Sequence, residues 1–133
     1  MKAQILLDTC ILLDALFNKE SLSKKALEWM EDPHHSLAIS SASLWEVGIK
    51  HKKHPDLMPL SSDSLFSLLK TVDIEIISIN GRIASTIENI ANEGIHQDPF
   101  DQVIIATAAI NGCTLLTKDE KIAQYRSANI VLV

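Results

Sequence analysis

The chain has 133 residues, a formal net charge of −5, 47% hydrophobic residues, two cysteines and four glycines. Domains commonly run to about 100–200 residues, so one domain spanning residues 1–133 is expected, large enough to bury a core without staples. A disulfide scaffold is excluded: Cys10 and Cys113 sit in apolar stretches with no metal or redox spacing, and read as buried thiols in a reducing compartment.

Gln4 to Leu7 is a short apolar run that reads as a buried strand, and Asp8-Thr9 is a helix-start signal. Asp8 arrives after Ile5-Leu6-Leu7, which leaves no room for a secretory h-region of about 7–15 apolar residues; a cytoplasmic protein is expected. Leu12, Leu13, Leu16 and Phe17 recur at helical spacing. Ser21 or Ser23 then opens a second helix, ended by Asp32-Pro33 because the residue before proline is driven out of the helical region.

Leu37 to Ser40 reads as a second strand, followed by a helix capped by Ser41 or Ser43 and running to about Lys53. After a turn-rich Pro55 to Pro59 come a short amphipathic helix over Ser61 to Leu69, a strand over Ile74 to Ile79 and a helix over Asn80 to Glu93, stopped by Gly94. Asp98-Pro99 opens a helix that runs to Gly112. Its apolar segment, Val103 to Ile110, is far short of the roughly 20 residues of a membrane span. Thr114 to Leu116, Asp119 to Tyr125 and Ile130 to Val133 complete the chain as strand, short helix and strand. Strands alternating with helices predict an α/β fold with a mainly parallel sheet.

In open parallel sheets ligands bind at the carboxyl ends of the strands. Asp8 and Asp119 fall at such ends, and Asp98 and Asp101 in the first turn of the late helix. Each is also a plausible helix cap or first-turn acid. Glu46 differs, because it shares a helical face with Ala42, Trp45 and Ile49. A carboxylate on a core-facing stripe is costly unless paired or metal-bound, and the nearest lysines come later in that helix. Converging carboxylates repel one another unless a cation sits among them, and oxygen-only donors suit Mg²⁺ or Mn²⁺ rather than zinc. The five histidines are too scattered to form a ligand set. A hard divalent ion orients phosphate and activates water, so phosphodiester hydrolysis is the chemistry these residues suit.

The ordered motifs resemble those of PIN-domain ribonucleases, specifically the toxin component of VapBC-type toxin–antitoxin systems. The matching segments are Leu6-Leu7-Asp8-Thr9, Ser41 with Trp45-Glu46-Val47, His96-Gln97-Asp98-Pro99-Phe100-Asp101 with Ile105-Ala106-Thr107-Ala108, and Leu116-Thr117-Lys118-Asp119. The resemblance spans essentially the whole chain. It implies an α/β/α sandwich, Mg²⁺-dependent endoribonuclease activity, a cognate antitoxin that inserts a basic side chain into the acidic pocket, and homodimerisation. By position Asp8, Glu46, Asp101 and Asp119 match the acidic quartet, Asp98 is an added acid that is either ligand or cap, and Thr9 and Thr117 would hold carboxylate or water. Gln102 stands where relatives with the same Asp-Pro-Phe-Asp sequence often carry arginine, a departure that bears on one RNA-backbone contact the resemblance would imply and not on the metal site. Lys50, Lys52 and Lys53, in a basic run at a helix end, are candidates for tracking RNA phosphates. Trp29 and Trp45 are expected in the core or an interface rather than as base-stacking platforms. The alternatives are a receiver-like phosphotransfer domain, disfavoured by the solitary Asp8, a non-catalytic scaffold of the same fold, and a PIN nuclease outside any toxin–antitoxin pair.

Overall fold

A computed structural model describes residues 2–95 and 98–133; His96 and Gln97, which open the third motif, lie outside the described residues. The first strand, β1 (Ala3–Leu7), runs into α1 (Thr9–Phe17), a 3-10 turn at Lys19–Ser21 and α2 (Lys24–Glu31). Then come β2 (His35–Ser40), α3 (Ser41–Lys53), α4 (Ser62–Leu69), β3 (Ile74–Ile77) and α5 (Gly81–Ala91). The last elements are α6 (Pro99–Asn111), β4 (Thr114–Thr117), a 3-10 turn at Ile122–Gln124 and β5 (Asn129–Leu132). All five strands are parallel, in the order β3-β2-β1-β4-β5.

Because successive strand side chains point to opposite faces, each strand feeds two cores. Leu6, Ala38 and Leu115 face the α5 and α6 side, with Ile83, Ile90, Ile104 and Ile105. Ile5, Leu7, Ile39 and Leu116 face the opposite side, with Ile11, Leu12 and Leu65. Each such fully buried aliphatic side chain stabilises the fold by about 1.5–3 kcal/mol. Helices on both faces of a parallel sheet make the expected three-layer α/β/α sandwich.

Local chemistry fixes the element ends. Ser23, Ser61 and Asn80 side chains accept backbone N–H groups of the helices they open. The cap of α3 is Ser40, whose Oγ accepts from Ala42 N, rather than Ser41 or Ser43. Ser41 is instead drawn to the neighbouring strand end, accepting from Ile79 N. The C-cap Gly112 has φ of 65°, a left-handed geometry that glycine adopts without strain. A β-carbon on Gly48 would meet Ser62 Cβ at 3.1 Å, so glycine lets α3 and α4 approach. The expected helix after Asp119 is only a 3-10 turn.

The chain steps outward from β1 through β2 to β3, then returns to place β4 on the other side of β1. This reversal opens a crevice at the carboxyl ends of β1 and β4.

Candidate active site

Four segments bring carboxylates to that crevice. Asp8 follows β1, Asp119 follows β4, Glu46 projects from α3, and Asp98 and Asp101 open α6. Together they line a cavity of about 290 Å³ with Lys50 and Lys118. A larger cavity of about 570 Å³ lies elsewhere, between Phe17 and Leu57. Its carboxylate, Asp14, is engaged by Lys118 at 2.7 Å, and its walls are otherwise mainly aliphatic and aromatic. The titratable chemistry is gathered in the smaller cavity.

Asp8 is the buried centre of the site, 5% exposed. Its Oδ1 accepts from Thr9 N at 2.8 Å and its Oδ2 from the Thr117 hydroxyl at 2.8 Å. Thr117 Oγ1 also accepts from Asp119 N at 3.0 Å, so one hydroxyl ties the two strand ends together. Burial raises the Asp8 pKa above the ordinary carboxylate value; the hydrogen bonds from Thr117 and Thr9 oppose this, and the charges of Glu46 and Asp119 add to it. Thr9 Oγ1 pairs with the Ser43 hydroxyl at 2.8 Å.

Glu46 is buried on α3 beside Ala42, Ser43 and Val47. The sequence suggested that no lysine was near enough to pair with it, but Lys50 Nζ lies 2.9 Å from Glu46 Oε2. An offset of four residues places the two on one helix face, and the long lysine stem spans the turn. Burial alone would lower the Lys50 pKa, but the hydrogen bond and charge of Glu46 outweigh it, with further contributions from Cys10 and Asp98, and the net direction is upward. Asp98 caps α6, its Oδ1 accepting from Phe100 N at 2.9 Å and Asp101 N at 3.2 Å.

Among the described residues no three His, Cys, Asp or Glu side chains are already drawn into an ion-sized cluster. The carboxylates ring the cavity rather than meeting at a point. The donor set nonetheless fits a hard divalent cation, because it is rich in carboxylate oxygen and its most buried member is disfavoured as an anion by burial and by two neighbouring carboxylates. An ion there would relieve that repulsion.

One expectation is corrected. Cys10 is exposed at the cavity rather than buried, because position 10 lies on the solvent side of the first turn of α1; Cys113 is buried and donates its thiol to Gln4 Oε1. Of the two places expected for Trp45, the core is excluded: the ring is 59% exposed, because the buried face of α3 runs through Ala42, Ser43, Glu46 and Val47. Gln102, in the arginine position, is buried in α6. Lys50 reaches the cavity, whereas Lys52 and Lys53 are exposed at the end of α3. Sequence reasoning overlooked Lys118 as a cavity residue and Ser43 as the partner of Thr9. The first stands between two singled-out residues, and the second is one helical turn before Glu46.

A family model for the PIN domain matches residues 5–128. Among solved structures, VapBC2 from Rickettsia felis bound to a DNA fragment from their promoter superposes with a TM-score of 0.72 at 20% identity, covering 97% of this chain and 98% of that one. VapBC-5 from Mycobacterium tuberculosis, of the VapBC family of toxin–antitoxin systems, gives 0.64 at 21% identity, covering 98% and 99%. FitAcB from Neisseria gonorrhoeae gives 0.59 at 18% identity, covering 95% of each. No curated protein sequence matches the chain.

Proposed function

Since the chain belongs to the PIN-domain family, we propose that it is a divalent-metal-dependent endoribonuclease and the toxin of a toxin–antitoxin pair, with residues 1–133 forming one catalytic domain. The observation that carries this reading is the convergence of Asp8, Glu46, Asp98, Asp101 and Asp119 on one cavity at the carboxyl edge of the sheet.

In this reading Asp8, Glu46, Asp101 and Asp119 hold Mg²⁺ or Mn²⁺, directly or through water, with Asp98 at the margin. When bound, the ion supplies a Lewis acid and lowers the pKa of water for attack on the phosphodiester. The remaining work falls to the chain. Thr117 fixes the Asp8 carboxylate and the Asp119 backbone in one arrangement, so the acidic groups need little reorganisation on meeting substrate. Thr9 braces the start of α1 through Ser43. Lys50 and Lys118 put two positive charges among the acids and offset the repulsion that an incoming phosphate meets there. Lys52 and Lys53 offer a further electrostatic contact to the RNA backbone.

A cognate antitoxin is the proposed protein partner, supported by the similarity to chains solved in toxin–antitoxin complexes. Its inhibitory contact is a basic side chain, an arginine, placed among the carboxylates. Homodimerisation and a cytoplasmic site of action belong to the same reading. Among the described residues no helix is long and apolar enough to cross a membrane.

The test is cleavage of a panel of structured RNAs by the wild type with Mg²⁺, by the wild type with EDTA, and by Asp8→Asn with Mg²⁺. Cleavage in the first arm alone is expected. Equal cleavage in all three would sink the metal-and-acid reading, and no cleavage in any would return the non-catalytic scaffold.

A further inference from the structure

We propose that the exposed Trp45–Phe100 pair, formed by the residues just before Glu46 and Asp101, is a stacking platform for an unpaired nucleobase of the RNA. The proposal rests on the nuclease reading above.

Trp45 on α3 is 59% exposed, and its ring meets that of Phe100, in the first turn of α6, at 5.0 Å and 83°. Tryptophan is normally well covered, so a solvent-facing indole held by a second ring calls for a physical reason. Other large apolar side chains are exposed too, Phe17 and Leu57 among them. The pair differs from them in two ways.

First, it is tied to the chemistry by sequence and by structure. Trp45 directly precedes Glu46, and Phe100 directly precedes Asp101, and both carboxylates line the cavity. The rings therefore sit where α3 and α6 meet, each one residue along the chain from a carboxylate of the cavity. In an edge-to-face contact one ring spends only its edge, so π-surface remains open for a third ring.

Second, its surroundings suit a polyanion. Lys52 and Lys53 are exposed seven and eight residues after Trp45, hence on the same side of α3 and about 10 Å along it. Aromatic rings beside a lysine-bearing face are the arrangement that single-stranded nucleic acids use, because every base has a π-face while duplex bases are already stacked and paired.

The test uses Asp8→Asn with Mg²⁺, so that binding is read without cleavage, and adds Trp29→Phe so that Trp45 is the only indole fluorophore. The probes are a short mixed-sequence RNA and the duplex it forms with its complement. The single strand is expected to quench Trp45 fluorescence and bind more tightly than the duplex. Trp45→Ala should weaken single-strand binding by about 10-fold or more and Phe100→Leu by less, whereas Trp45→Phe retains most of it. Circular dichroism and sedimentation accompany each variant. Equal binding by Trp45→Ala, with cleavage intact when Asp8 is restored, would overturn the platform and leave the nuclease standing. Conversion of a dimer to a monomer by Trp45→Ala, with RNA affinity unchanged, would assign the pair to self-association and also overturn it. Failure of the protein with Asp8 restored to cut any RNA, together with no binding of either probe, would remove the nuclease reading itself.

Discussion

Lys50 Nζ stands 2.9 Å from Glu46 Oε2, so the carboxylate that α3 delivers to the cavity is paired by a cation from the next turn of the same helix. A divalent ion at the site would take over that role. Lys50→Met should leave Glu46 as an unpaired buried carboxylate, costing about 1–3 kcal/mol in chelator. Mn²⁺ should then raise the melting temperature of the variant more than that of the wild type. Equal Mn²⁺ increments would show that Lys50 and the ion do not share Glu46.

Thr117, at the end of β4, donates to Asp8 in a buried bond and accepts from Asp119 N in a part-buried one. Thr117→Val removes both interactions at nearly constant volume and should lower stability by about 1–3 kcal/mol in urea unfolding. Thr117→Ser keeps the hydroxyl and should recover most of that loss and most of the RNA cleavage. A serine variant as impaired as the valine one would place the effect in packing instead.

Asp8 gives the protein a definite pH signature. Its pKa is raised in the fold, chiefly by burial, so the folded state holds this proton more tightly than the unfolded chain. The resulting stability is fully present below the unfolded pKa of about 3.9 and is lost as pH rises through the higher folded value. Melting temperatures in EDTA should show this decline in the wild type, and Asp8→Asn should flatten it and melt higher at neutral pH. A decline unchanged in Asp8→Asn would assign it to another group.

Asp98 spends Oδ1 on two backbone N–H groups of α6, so it caps that helix while also lining the cavity. Asp98→Ser preserves a capping oxygen and should keep wild-type stability with cleavage within a few-fold, while Asp98→Ala should lose about 1 kcal/mol. Asp101→Asn, by contrast, should abolish most cleavage without a comparable loss of stability. Loss of cleavage in Asp98→Ser equal to that in Asp101→Asn would make Asp98 a ligand first.

The alternation of strand and helix was readable because two periodicities, near 2 and near 3.6, stand out in short apolar runs such as Gln4 to Leu7 and Ile83 to Ile90. The acids at strand ends were readable because a parallel sheet directs its carboxyl edge to one side. Side-chain pairing was not. Lys50 looked remote from Glu46 when counted as part of a terminal basic run, yet one helical turn brings them together. For Trp45 the sequence left core and interface open, and only the packed helix shows that the buried face passes it by. Ser40 and Ser41 compete for one cap, and the contact from Ile79 N, 38 residues away, decides where Ser41 points.

The bond between Asp8 and Thr117 closes 109 residues of chain. It lies where β1 pairs with β4, a strand made much later, in the interior of the sheet. During synthesis from the N-terminus, the growing chain carries Asp8 and Glu46 long before it carries the hydroxyl that orients Asp8 or the carboxylate of Asp119. Vectorial translation therefore acts as a timer. A nascent chain lacks the ordered acidic site, and on the proposed reading its nuclease activity, until β4 has emerged and docked.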